Sequence, residues 1–280
     1  MDDKKIVITG ANGQVGRALQ KIYPQALALD REQLDITDQK AINEFNWDNT
    51  KVIINAAAWT DVDGAENPSN YNLVKTVNVD ATRYLATAAN QHDSTFVAFS
   101  SDYVFDGSQS IHNEDEPFFP LNVYGKTKAD GDLAAATATK HYIIRTSWVI
   151  GDGRNFVSIM QDLAARDIRP LVVNDQIGRL TFTDTLARGI KHLLETNAPY
   201  GTYNLTNEGQ PTSWAEIAKI VFEKSGKSPS DIQPVSTAEY FTDKPNTAKR
   251  PLQSTLDLTK IEKTGFIPED WRDKLDKLFS

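Results

Sequence analysis

The sequence contains no cysteine. Disulfides, cysteine-ligated zinc or iron–sulfur centres and a thiol nucleophile are therefore excluded. Histidine is scarce: His92, His112, His141 and His192 show no i,i+4 pairing and no ligand cluster. No metal site is expected from them. No apolar run approaches the roughly 18 residues of a membrane span. Lys4 and Lys5 precede only the short apolar stretch Ile6–Ile8, against the roughly 7–15 residues of a signal-peptide core. A cytoplasmic protein with no membrane association is expected. Basic charge is in the minority, with 30 Lys and Arg against 38 Asp and Glu and a net charge of −8. Nucleic acid is not an expected partner, because its phosphates need a basic face. A local basic pocket for an anionic ligand remains compatible with that balance.

What is present is an alternation. Apolar runs at Ile6–Ile8, Ala26–Leu29, Val52–Ile54, Thr95–Phe99 and Tyr142–Ile144 are separated by helix-like stretches. The stretches are Val15–Ile22, Asp38–Phe45, Tyr71–Asn90 and Tyr124–Ala138. This reads as βαβ units around a parallel sheet, an α/β doubly wound fold of Rossmann type. The strands are continuously apolar, as befits strands covered on both faces. Asp38 is placed to cap a helix, and Ser213 with Glu216 has the spacing of a capping box. Helices are also expected at Thr185–Thr196, Ser213–Lys224 and Trp271–Phe279, among proline-rich connections and short, irregular strands. A dinucleotide-binding domain is expected over residues 1–150 plus about 181–206. A smaller α/β lobe would take about 151–180 and 207–280.

Between the first strand and first helix lies Thr9-Gly10-Ala11-Asn12-Gly13-Gln14-Val15-Gly16-Arg17. Gly10 permits a tight turn, Gly13 lets backbone approach a pyrophosphate, and Gly16 lets helix pack on strand. The helix N-terminus offers free N–H groups and partial positive charge to phosphates. Asp30 follows Gly10 by twenty residues, at the end of the second strand, where a carboxylate binds the adenosine ribose. Asp30 favours NADH, and its neighbour Arg31 could attract the 2′-phosphate of NADPH. The choice between the two stays open. The Gly-x-x-Gly-x-x-Gly spacing resembles the extended short-chain dehydrogenase/reductase superfamily.

That superfamily's acid–base pair is Tyr-x-x-x-Lys, and three pairs match: Tyr71/Lys75, Tyr124/Lys128 and Tyr240/Lys244. Position chooses among them. Tyr124/Lys128 alone follows the fourth strand and opens a helical stretch. Tyr71/Lys75 precedes that strand, and Tyr240/Lys244 beside Pro245 reads as a loop. Residues four apart share a helix face. The Lys128 cation is therefore expected to lower the Tyr124 pKa below about 10. A phenol so tuned can pass a proton to a substrate oxygen. Ser100 and Ser101, at the end of the fourth strand, are the candidate hydroxyls to steady that oxygen.

Ser100-Ser101-Asp102-Tyr103-Val104-Phe105-Asp106-Gly107 resembles the Ser-Thr-Asp-Tyr-Val-Phe-x-Gly block of dTDP-4-dehydrorhamnose reductases. Further blocks agree in order: Asn55–Thr60, Pro120–Lys128, Arg145–Val149, Asn174–Gly178 and Lys249–Pro251. The resemblance implies NADPH- or NADH-dependent reduction of the 4-keto group of dTDP-4-dehydro-L-rhamnose, a step in rhamnose-donor synthesis for surface polysaccharide. It implies Ser101, Tyr124 and Lys128 as catalytic residues, Lys128 also binding the nicotinamide ribose. It implies a phosphate loop of Gly10, Ala11, Asn12, Gln14 and Val15, with Asp30 on the ribose and Asp35 and Ile36 near the adenine. Ala56, Ala57, Ala58 and Phe99 would line the cofactor cleft. Ser101, Asp102, Tyr103, Trp148, Asn174 and Gln176 would meet the sugar nucleotide, and Arg250 its diphosphate. Some relatives form a magnesium-linked dimer through clustered glutamates. No such cluster is recognisable here, so monomer and homodimer both stay open. The rival readings are a nucleotide-sugar dehydratase or epimerase, and a non-catalytic reductase-like regulatory subunit. A dehydratase would want Asp-Glu after the catalytic hydroxyl, where Asp102-Tyr103 stands.

Overall fold

Strand β1 (Ile6–Thr9) is wholly buried in a six-stranded sheet. The structure, a computed structural model, describes residues 2–244 and 247–279. Pro245 lies outside them. Helix α1 (Gln14–Ile22), β2 (Leu27–Leu29), α2 (Gln39–Glu44) and β3 (Val52–Asn55) follow in turn. Then come α3 (Tyr71–Lys75), α4 (Ala81–Gln91), β4 (Thr95–Ser101), α5 (Val123–Ala135) and β5 (His141–Thr146). Helix α6 (Phe156–Ala165) and α7 (Thr183–Glu195) precede the last strand of the sheet, Gly201–Asn204. The sheet order is Gly201–Asn204, β5, β4, β3, β1, β2, with every pairing parallel. The strand order reverses between β1 and β3. A crevice opens at the carboxyl ends of strands at such a point, and ligands bind there.

Alternate strand residues serve opposite faces. Ile6, Ile8, Val52 and Ile54 pack with Leu19 of α1 and Leu186, Ile190 and Leu193 of α7. Val7, Ile53, Phe96 and Ile143 pack on the other face with Leu85 and Ala89 of α4. Both faces are covered, which is why these strands read as continuous apolar runs. A separate cluster joins Val157 and Met160 of α6 to Ile217, Val221 and Phe222 of α8 (Trp214–Lys224), together with Trp271 and Leu275. The strands beside it are pairs of two or three residues, such as Leu171–Val173 with Gln233–Val235.

Three local expectations are corrected. Tyr71–Asn90 is not one helix: a π-helical turn, Thr76–Asp80, separates α3 from α4. Ser213 accepts a hydrogen bond from the Glu216 amide at 3.2 Å, but the Glu216 carboxylate turns to Lys219 at 2.7 Å. Only half of the capping box forms. Tyr240 lies on a short helix, α9 (Thr237–Phe241), not a loop, and the Lys244 ammonium sits 3.3 Å from its ring centroid. Asp38 caps α2 as expected, accepting from Lys40 and Ala41 amides at 2.9 and 3.3 Å.

Candidate active site

The loop from β1 to α1 is forced to be glycine where it bends. Gly10 has φ +74°, and a Cβ there would lie 2.5 Å from the Ala57 nitrogen. The β1 loop therefore sits directly against the loop after β3. A Cβ on Gly16 would lie 2.2 Å from the Gly10 carbonyl oxygen, so α1 packs tightly on the turn. Gly13 is different: its Cβ would meet only the Gly10 oxygen, at 3.3 Å. It caps α1, whose first turn carries no acidic residue. An open glycine at a helix N-terminus without a competing carboxylate suits a phosphate. The residues present therefore fit a dinucleotide. Asp30 accepts from the Glu32 and Gln33 amides through one oxygen and from Asn12 Nδ2, at 3.2 Å, through the other. Arg31 pairs with Asp35 at 3.3 Å. Burial pushes the Asp35 carboxyl up, but hydrogen bonds from Thr37 and Arg31 outweigh it and hold the group below the usual range.

Ser101 ends β4 and α5 brings Tyr124 beside it. Asn122 caps α5, accepting from the Gly125 amide at 2.7 Å, and Glu66 accepts from the Val123 amide at 2.8 Å. A Cβ on Gly125 would lie 2.2 Å from the Tyr103 carbonyl oxygen. Glycine at that position lets α5 approach the turn after β4. The Tyr103 and Tyr124 rings meet edge to face at 5.6 Å. Ser101 Oγ donates to Asp102 Oδ1 at 2.9 Å and accepts from the Tyr103 amide at 3.2 Å.

The expected charge state of Tyr124 is corrected. Burial pushes its phenol up to about 12, with Ser101 opposing and Asp102 and Asp132 adding to the rise. Burial also lowers Lys128 to about 8, against the pull of Asp132. The Lys128 ammonium donates to the Phe99 carbonyl at 2.6 Å. One turn on, Asp132 is clamped to Arg145 of β5 by a buried ion pair of 2.9 Å.

These groups line one cleft of about 990 Å³. It collects Gly10, Asn12, Gly13, Gln14, Val15, Asp30, Arg31, Asp35, Ile36, Ala56, Ala57, Ala58 and Phe99 at one end. Ser101, Asp102, Tyr103, Tyr124, Lys128 and Trp148 stand at the other. Ala11 and Gly16 pack behind the loop and do not line it. Asn174, Gln176 and Arg250 do not line it either. Gln176 donates to Thr237 Oγ1 at 3.0 Å, and Arg250 pairs with Asp63 at 2.8 Å. Trp148 has φ +47° and stacks on Trp214 of α8 at 3.7 Å between centroids.

The cleft also holds Arg17, Trp59, Thr60, Val62, Ser147 and Trp214, which the sequence reading did not single out as site residues. Arg17 follows Gly16 directly, and that adjacency was the available signal. Trp214 comes from a distant helix and gives no local signal. Asn78 is a further case: from the π-helical turn it accepts the Trp59 amide at 2.9 Å and donates to Thr127 of α5 at 3.0 Å. Among the described residues, no group of three metal-ligating side chains occurs, and no helix is long and apolar enough to cross a membrane.

Residues 4–280 match the family described as RmlD substrate binding domain. A dTDP-4-dehydrorhamnose reductase of Aggregatibacter actinomycetemcomitans is 40% identical over 295 residues, covering 98% of each chain. The chain belongs to the dTDP-4-dehydrorhamnose reductase family. Solved relatives agree in three dimensions. A dTDP-4-dehydrorhamnose reductase from Clostridium acetobutylicum, 37% identical, superposes with TM-score 0.89 over 97% of each chain. Another from Bacillus anthracis, solved in complex with NADP, is 33% identical and superposes with TM-score 0.90 over 98% of each chain.

Proposed function

We propose that the protein reduces the 4-keto group of dTDP-4-dehydro-L-rhamnose with NADPH or NADH, giving dTDP-L-rhamnose for surface polysaccharide. One observation carries the reading: a single cleft holds both the glycine loop and the Ser101, Tyr124 and Lys128 side chains. The names of the full-length relatives supply the substrate class. When bound, the nicotinamide supplies the hydride that reduces the carbonyl carbon.

Tyr124 is the acid. Its phenol stays protonated through the working range because burial holds it near 12. It gives that proton to the carbonyl oxygen as negative charge develops there. Lys128 binds the nicotinamide ribose and offsets the phenolate that remains. Ser101 hydrogen-bonds the same oxygen. Gly13 and the amides opening α1 hold the cofactor phosphates, Asp30 the adenosine ribose, and Ala56, Ala57 and Ala58 leave room for it. Tyr103 and Trp148 meet the sugar, and Arg250 reaches the nucleotide diphosphate by leaving Asp63.

The division of labour follows the two cores. Residues 1–150 with about 181–206 bind the dinucleotide, and about 151–180 with 207–280 select the sugar nucleotide. We infer a cytoplasmic enzyme acting as a monomer or homodimer. The test is steady-state reduction of dTDP-4-dehydro-L-rhamnose with each cofactor, followed at the nicotinamide absorbance. Stoichiometric cofactor oxidation with dTDP-L-rhamnose formed is expected. Retained NAD and product made without NADPH consumption would instead mark a dehydratase or epimerase.

A further inference from the structure

A serine hydroxyl carries one proton. In this structure Ser101 has already committed it, donating to Asp102 Oδ1 at 2.9 Å. Its oxygen also accepts the Tyr103 amide. So arranged, Ser101 can offer a substrate carbonyl oxygen only lone pairs, which would repel the charge that builds there. To donate to that oxygen, Ser101 must turn its proton away from Asp102. Asp102 must then become the donor, and a carboxyl group donates only when protonated.

We propose that Asp102 is a positioning residue: in its protonated form it donates to Ser101 Oγ and thereby turns the Ser101 proton toward the substrate oxygen. The inference rests on the reductase reading above. Its geometry is in place, since Asp102 is 2% exposed and Ser101 7% exposed, both at the cleft wall. Burial lifts the Asp102 carboxyl to about 6, with Ser254, Ser101 and the charge of His112 opposing the rise. The titratable groups facing it are Tyr103 on its own turn, Tyr124 from α5 and His112 from the segment after β4. Both phenols stay neutral below pH 9, because burial raises them. His112 is itself buried against Glu116 at 2.8 Å and can be removed separately.

The sign of the effect is definite. If protonated Asp102 is productive, kcat/KM falls as pH rises through the Asp102 ionisation. If ionised Asp102 is productive, kcat/KM rises through the same range. The experiment measures kcat/KM against pH from 5 to 9 for the wild type, Asp102→Asn, Ser101→Ala, the double variant and His112→Gln, with NADPH binding and thermal melting of each as controls. The wild type comes first: no reduction of dTDP-4-dehydro-L-rhamnose would remove the functional reading itself. Given wild-type activity, Asp102→Asn is expected to lose the lower limb while staying within about tenfold of the wild type at pH 6, its amide donating in place of the carboxyl. The limb should persist in His112→Gln. Ser101→Ala should lose about a hundredfold, the scale of one oxyanion donor, and the double variant no more. A limb that rises with pH, or one that survives in Asp102→Asn, would overturn the proposal. Infrared difference spectra of the wild-type complex with NADP and dTDP-L-rhamnose give a check that needs no active variant. A protonated-carboxyl band that is absent from Asp102→Asn is expected, and only ionised carboxylate would count against the proposal.

Discussion

Tyr124 and Lys128 lie on the same face of α5, yet burial is the largest influence on each, raising the phenol and lowering the ammonium. The consequence for Lys128 can be read as pH dependence. Burial has lowered the ammonium to about 8, so it is charged below that value and neutral above it. Activity that needs the charge is therefore present at pH 7 and lost as pH rises through about 8. Lys128→Met should remove this upper limb and weaken cofactor binding together. Tyr124→Phe keeps the ring and removes the proton. It should cut kcat by about a thousandfold, within the range for a general acid, while NADPH binding measured by fluorescence titration is unchanged. Unchanged turnover in that variant would remove Tyr124 from the chemistry. Asp30 should act on cofactor choice. Its carboxylate opposes a 2′-phosphate, so Asp30→Ala should shift the kcat/KM ratio toward NADPH by about tenfold, the scale of one partly solvated charge pair. Spacing together with position along the chain picked out Tyr124, Lys128 and Asp30, all of which line the cleft. It could not give the protonation of Tyr124 and Lys128, because burial is made by residues distant in sequence.

At the scale of elements, the turns and caps were legible where one residue does the work. Asp38 caps α2 with its own side chain, so Asp38→Ala should lower stability by about 1 kcal/mol in denaturant titration. Where two groups had to agree, tertiary competition decided. Glu216 left its capping role for Lys219, which lies one turn away and carries the opposite charge. The π-helical turn was invisible to a 3.6-residue pattern, because it inserts one residue into a helix without a glycine or proline to mark it. That insertion carries Asn78, which ties the loop after β3 to α5. Asn78→Ala would leave the Trp59 amide and Thr127 hydroxyl without this partner. We expect a loss of about 1–3 kcal/mol in stability. The KM for NADPH should rise as well, since Ala57 and Ala58 precede the released amide. A stability loss with NADPH KM unchanged would make Asn78 a scaffold residue alone.

At the scale of the molecule, the two parts meet through ion pairs and hydrogen bonds at both ends of the cleft, besides the Trp148–Trp214 stack. At the cofactor end, Arg17 donates to the Asp152 carbonyl, and Lys21 pairs with the Asp152 carboxylate at 2.6 Å. At the sugar end, Arg250 pairs with Asp63, the Ala248 amide donates to the other Asp63 oxygen at 2.9 Å, and Asn122 donates to the Lys249 carbonyl at 2.7 Å. A net charge of −8 says nothing of this, because it sums over the chain while the cations that matter are placed one by one. Arg250 is held by the acidic Asp63, and a diphosphate offers it a doubly charged alternative. Arg250→Ala should therefore raise the sugar-nucleotide KM by at least about tenfold, one charge-assisted contact, with NADPH KM unchanged. Asp63→Asn separates a competitor from a clasp. If Asp63 merely occupies Arg250, the variant frees the guanidinium, and calorimetry should show dTDP binding unchanged or tighter. If the pair instead holds the 248–250 segment in place, Asp63→Asn will weaken dTDP binding as Arg250→Ala does. The cation above the Phe241 ring, 4.8 Å from its centroid, gives Arg250 a second anchor that survives loss of Asp63. That anchor favours the competitor outcome, since the guanidinium stays poised beside Tyr103 when its carboxylate partner is neutralised.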